Sequence, residues 1–238
     1  MAHLPNPVVV VPGITATYLR DLYSFPPEII WSVLTRSFER AALHPDDIKS
    51  AIPNTQRAFE ASEPAHVRPD QVYEVAYKEL IEELRFNLRA REDEPVPVFA
   101  FGYDWRQPLE VIEDELLAFV LEVRRRTSLL RHYHKQGYGE QSKVNVVGHS
   151  MGGLIIADCL ARHRSNFPVE KVVTLASPFQ GSFEAVIKVT TGTANLGTEP
   201  PSSREREAAR VTPALYYLVP SLKDSLQIED PALPKDLF

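Results

Sequence analysis

A serine at position 150 stands in the run KVNVVGHSMGGLIIADCL (Lys143–Leu160), with a glycine two residues before it and glycines two and three after it. A serine hydroxyl in that setting can attack an ester carbonyl. The spacing matters because the chain must turn tightly from strand to helix, and side chains at 148 and 152 would clash in that turn. A short, mostly apolar run precedes the motif, and helically spaced Leu154, Ile155, Cys159 and Leu160 follow it. Glycine is scarce, 10 of 238 residues, so a chance match in this context is a poor explanation. Ser150 is the candidate nucleophile, and Gly148 and Gly152 are the glycines of its elbow.

Such a serine needs donors for the oxyanion and a base for its proton. The backbone N–H of Met151, at a helix N-terminus, is one donor. The loop after "VVVV" (Val8–Val11) supplies a second, the N–H of Ile14, with Gly13 allowing close backbone approach; a plain turn is the competing reading of Pro12–Gly13. His149 adjoins the serine, but neighbouring strand residues point to opposite faces, which makes it a packing or supporting histidine.

No base follows in the expected place. Only His163 comes after Ser150, 13 residues on along the same helix, roughly 20 Å away at the helical rise. His132 and His134 end a helix on the far side of the sheet, and His3 precedes the first strand. His44 and His66 lie in an insertion with nothing to aim them. Among carboxylates, Asp158 is roughly 12 Å along the nucleophile helix, and Glu170 begins a strand at the wrong end. Asp224, Glu229, Asp230 and Asp236 fall before any strand that could carry them to the site. The expectation is that acid and base lie beyond residue 238 and that these residues alone are nearly inert.

The elements that must position the serine are legible around it. Asn6–Gly13, Pro95–Trp105, Lys143–Ser150 and Val169–Pro178 have the look of strands. Between them, Val72, Val75, Ala76, Leu80, Leu84 and Leu88 recur with helical spacing, as do Leu109, Ile112, Leu116, Phe119, Val120 and Val123. This alternation predicts an α/β fold, a mostly parallel sheet with helices on both faces. One domain over 1–238 is expected, incomplete at its C-terminus, with 15–70 and 179–238 as cap or lid segments. The first of these reads as mixed and partly helical, and Thr190–Arg210 reads as a mobile surface loop. Four parallel strands ending at "VVTLASP" leave a valine-rich strand at or near a sheet edge, an aggregation hazard unless covered.

With these residues in view, the order of strand, "PGI", strand, "GHSMGG" and strand resembles the α/β-hydrolase fold. More narrowly, "VVVVPGI", "FGYDWRQP" (Phe101–Pro108), "VVGHSMGG", "VVTLASPFQGS" and "PALYYLVPS" (Pro213–Ser221) resemble the lecithin:cholesterol acyltransferase family. The resemblance implies an acyl-enzyme on Ser150, the Ile14 and Met151 amides as oxyanion hole, and ester-linked lipids as substrates, with hydrolysis and acyl transfer both open. Transient contact with a membrane or lipid interface is compatible with that. The family's acid loop and late histidine have no counterpart here. A non-catalytic binding or scaffold protein, and an esterase on small esters, remain alternatives. Asp104 and Arg106 read as loop-positioning residues at a strand end, worth little as a surface ion pair.

Composition excludes other classes. A formal net charge of −6 argues against a nucleic-acid partner. The single cysteine, Cys159, cannot form an internal disulfide and reads as a small buried hydrophobe. No pattern calls for a cofactor or a metal, and none fixes the oligomeric state. The N-terminus shows neither signal-peptide nor membrane-span character, so a cytoplasmic location is the default expectation.

Overall fold

The computed structural model describes residues 4–34, 65–193 and 202–221. Its strands are β1 (Val8–Val11), β2 (Thr17–Asp21), β3 (Glu28–Trp31), β4 (Val67–Val72), β5 (Val98–Ala100), β6 (Val144–His149) and β7 (Val169–Leu175). Its helices are α1 (Glu74–Leu88), α2 (Leu109–Ser128), α3 (Arg131–Lys135), α4 (Met151–His163), α5 (Phe183–Thr191), α6 (Ser203–Arg210) and α7 (Pro213–Tyr216). A parallel sheet in the order β5-β1-β6-β7 forms the centre, with Val11 opposite Gly148 where β1 meets β6.

Strand β1 shows why the sequence is continuously apolar there. Its two-residue period sends Val9 and Val11 into one core, with Ile112 and Leu116 of α2 and Ile155 of α4. Val8 and Val10 go into the other core, with Tyr77, Leu80 and Leu84 of α1. Helices therefore cover both faces, as expected of parallel strands joined by crossovers. On α2, Leu109, Ile112, Leu116, Val120 and Val123 are all buried, as their spacing predicts. On α1 the phase differs from the expectation: Val72 belongs to β4, and Val75 is 80% exposed. The helix starts at Glu74 and turns Tyr77 inward instead.

Two segments depart from the sequence reading. The described parts of 15–70 are strands rather than mixed helix. They form an antiparallel sheet in the order β3-β2-β4, and Arg20 of β2 pairs with Asp70 of β4 at 2.6 Å. Residues 35–64, including His44, lie outside the described residues.

Thr190–Arg210 is not simply a loop. Helix α5 runs to Thr191 and stops at Gly192, whose φ of 78° is left-handed. Helix α6 starts on Ser202, whose side chain accepts the Glu205 N–H at 3.3 Å, half of a capping box. Its Ala208 and Ala209 are fully buried. The Gly/Pro/Ser composition masked this local signal.

The expected exposed strand is present. Along β7, Val172, Val173 and Leu175 are 40%, 49% and 39% exposed. Successive strand residues point to opposite faces, so both faces of β7 are open among the described residues, and not its edge alone.

Candidate active site

Ser150 sits between β6 and α4 with φ 52° and ψ −126°, a conformation that a side-chain-bearing residue adopts only under constraint. Three constraints are visible. A Cβ on Gly148 would lie 2.7 Å from the Gly153 nitrogen. One on Gly152 would overlap the Val11 carbonyl oxygen and lie 2.8 Å from that of Pro12. One on Gly153 would overlap the Ser177 hydroxyl and come 2.7 Å from its Cβ. The elbow is thus wedged between the ends of β1 and β7, and only glycine fits at the three positions. The Ser150 N–H donates to the Leu175 carbonyl at 2.9 Å, and its hydroxyl makes no cap bond to α4.

Strain gathers at this spot. Four described non-glycine residues have positive φ, and apart from Arg164 at the end of α4 they are Thr15, Ser150 and Ala176, at 65°, 52° and 49°. They follow β1, β6 and β7 in turn, so all three lie at the C-terminal edge of the sheet. Each such residue costs about 1–3 kcal/mol, and clusters of them mark functional sites.

The loop after β1 is held by aromatic side chains. The Gly13 N–H donates to the Tyr77 hydroxyl at 2.9 Å. The Tyr103 hydroxyl donates to the Pro12 carbonyl at 3.0 Å, and Trp31 Nε1–H to the Thr15 carbonyl at 2.8 Å. A Cβ on Gly13 would stand 3.1 Å from Ser150 Cβ and 3.5 Å from Oγ, so this backbone lies directly against the serine. Met151, the residue after it, is fully buried. Neither the Ile14 nor the Met151 N–H donates in any of the described backbone bonds. Burial pushes the Tyr77 hydroxyl above the usual phenol range, against the opposing pull of the Gly13 N–H, and it pushes Tyr103 further still.

Three of the described histidines have side-chain partners. His149 Nδ1 lies 2.8 Å from the Tyr77 hydroxyl, which fits the supporting position expected for it. His163 ends α4 beside Asp114 at 3.3 Å. His132 contacts the Pro95 carbonyl, and His66 stacks on Tyr23. Asp158 interacts with Glu113, a fully buried carboxyl on α2 that also contacts Arg162 at 3.4 Å. Burial, then the Asp158 carboxylate, push Glu113 up to about 7. Glu170 accepts from Asn6 at the opposite end of the sheet.

Asp104 and Arg106 require a correction. Their pair is not a surface one: Arg106 Nε and Nη2 donate to the two oxygens of Asp104 at 2.9 and 2.7 Å, with Asp104 buried and only 11% of the Arg106 side chain exposed. Burial alone would raise the Asp104 carboxyl, but the guanidinium outweighs it and holds the group below its usual range. Trp105 between them is fully buried against Trp31, 4.7 Å between ring centroids, so it fills core rather than lining a cleft. Burial raises Cys159 to about 12, which leaves it an inert thiol.

Sequence reasoning missed Tyr77, Tyr103 and Trp31 as supports of the loop, and Glu113 as a buried acid. Glu113 did leave a signal, a charge on the apolar stripe that runs Leu109, Ile112, Leu116. Two cavities of about 320 and 330 Å³ lie beside Tyr133 and beside Leu154, and neither includes Ser150. Among the described residues no cluster of acidic, histidine or cysteine side chains could hold a metal, and no helix is long and apolar enough to cross a membrane.

A parallel sheet covered by helices on both faces, with a strained serine at a strand-to-helix elbow, is α/β-hydrolase-like. The crystal structure of the Tle4–Tli4 complex shares this fold, with 18% identity, a TM-score of 0.54 and coverage of 91% of this chain and 55% of that one. The mature form of the Bacillus licheniformis lipase BlEst2 is similar at 16% identity and a TM-score of 0.41, covering 92% and 58%. The chain belongs to the lecithin:cholesterol acyltransferase family, whose model matches residues 55–233. A phospholipase A(1) of Arabidopsis thaliana, LCAT3, is 34% identical over 87 residues, 36% of this chain and 17% of that protein. The chain thus spans little more than half the length of the structures it matches and a smaller share of that relative.

Proposed function

We propose that this chain supplies the nucleophile and oxyanion donors of a serine acyl hydrolase or O-acyltransferase acting on ester-linked lipids. Ser150 Oγ attacks the ester carbonyl carbon as a base takes the hydroxyl proton. The carbonyl electron pair moves to oxygen, where the Ile14 and Met151 N–H groups stabilise it. Collapse expels the alcohol, which takes the proton, and leaves an acyl-Ser150; water or a second alcohol then resolves it. In this reading the base and its orienting carboxylate are supplied by polypeptide other than the described residues. Among the described histidines, His66, His132 and His149 already have partners and His163 lies at the C-terminal end of α4, away from Ser150, and family membership supports the lipid class.

One observation carries this reading: the left-handed Ser150 wedged among three glycines that tolerate no Cβ. A binding module gains nothing from that strain. The test is labelling with a long-chain alkyl fluorophosphonate, with imidazole added as an exogenous base and the modified residue located by mass spectrometry. Modification of Ser150, absent in Ser150→Ala, is expected. No modification of Ser150 under these conditions supports a scaffold instead, and equal labelling by short and long probes supports a small-ester esterase.

A further inference from the structure

The hydrogen bonds around the loop after β1 form an ordered set. The Pro12–Gly13 peptide is gripped at both ends, its carbonyl by the Tyr103 hydroxyl at 3.0 Å and its N–H by the Tyr77 hydroxyl at 2.9 Å. The next peptide has its carbonyl, that of Gly13, accepting from the Ala16 N–H at 3.4 Å. In a trans peptide the N–H points opposite to the carbonyl, so the Ile14 N–H is turned away from Ala16. The following turn is fixed by Trp31 on the Thr15 carbonyl at 2.8 Å.

Tyr77 links this loop to the elbow. Its oxygen receives the Gly13 N–H, a group that can only donate, and its single proton remains for His149 Nδ1 at 2.8 Å. Given to His149, that proton makes Nδ1 the acceptor and leaves the ring hydrogen on Nε2.

We propose that Tyr77 is a positioning residue of the acyl-transfer site: one hydroxyl orients the peptides before Ile14 and fixes the tautomer of the histidine next to Ser150. The inference rests on the oxyanion role given to Ile14 above. It explains why a tyrosine occupies a core position of α1 beside Val8 and Val10, where phenylalanine would pack equally well. A buried phenol that keeps its proton, as burial ensures for Tyr77, suits a group that must accept and donate at once.

Tyr77→Phe in the full chain tests this with two independent readouts. By NMR at pH 8, His149 in the wild type is expected as the Nε2–H tautomer, and Tyr77→Phe should mix its tautomers and shift the Gly13 amide resonance. By fluorophosphonate labelling with added imidazole, Tyr77→Phe should slow modification of Ser150 about 10- to 100-fold, the cost of a misplaced catalytic group. Tyr138→Phe, which removes a distant exposed hydroxyl, should change neither. A wild-type His149 protonated on Nδ1, an unmoved Gly13 amide, or an unchanged labelling rate overturns the proposal. Absence of labelling in the wild type would sink the acyl-transfer reading instead, and the NMR result would still decide the Tyr77 linkage.

Discussion

Strands β6 and β7 lie side by side, run parallel and are both rich in valine, yet they live in different environments. Val144, Val146 and Val147 of β6 are buried, the first two fully, while Val172 and Val173 of β7 stand 40% and 49% exposed. Apolar sequence alone does not separate them. The difference is that β6 has neighbours on both sides and helices on both faces, whereas β7 has only β6 beside it among the described residues. The site follows the same division. The loop after β1 sits on the packed side with its peptide groups held by Tyr77, Tyr103 and Trp31, the Ser150 elbow bridges to β7 through its N–H on the Leu175 carbonyl, and nothing described on the β7 side brings a base to them.

Substitutions can break or sharpen that contrast. The largest effect is expected at the elbow, where Gly152→Ala drives a methyl into the Val11 and Pro12 carbonyls. It should cost about 3 kcal/mol or more, or abolish folding, in urea unfolding. Val146→Ala, in the packed strand, should cost about 2 kcal/mol from lost burial and the cavity left behind.

Glu113 gives a pH-dependent contrast within the packed side. Its folded-state value of about 7 lies above the ordinary 4.5. Its contribution to stability is therefore complete below about pH 4.5 and lost as pH rises through 7. Relative to the wild type, Glu113→Gln should gain stability across that window, measured as the difference between melting temperatures at pH 5 and pH 8. The smallest effect belongs to β7: Val172→Ala should stay within about 0.5 kcal/mol. Val173→Lys should leave folding intact while reducing self-association in sedimentation, because charge protects an open edge.

How far the sequence discloses all this depends on whether a signal is local. The elbow is legible because glycine spacing, the preceding apolar run and the helical pattern after it are contiguous. Strand β1 and helix α2 are legible for the same reason. The loop after β1 is only half legible: Gly13 marks a close approach, but its supports come from Trp31, Tyr77 and Tyr103, residues that meet it only in the folded chain. Tyr77 in particular reads as ordinary core, because no spacing rule shows where a buried hydroxyl will find its partner. The burial of the Asp104–Arg106 pair was hidden in the same way, since a charged dipeptide-spaced pair after a strand usually faces water. For α6 the local signal existed in Ser202 and Glu205 and was outweighed by composition.

The central claim is that these residues build the nucleophile and its oxyanion donors while the base lies elsewhere. Loss of the base alone costs about 10⁶-fold in a serine hydrolase where it was measured, so restoring one from solution should have a visible effect. The most direct measurement is the turnover of a long-chain nitrophenyl ester as imidazole is titrated into the 238-residue chain. The account predicts almost no turnover without imidazole, a rise above the imidazole-only background as it is added, and no rise with Ser150→Ala. Robust turnover that ignores imidazole would contradict it and would place a working base, such as His44 or His66, within the chain.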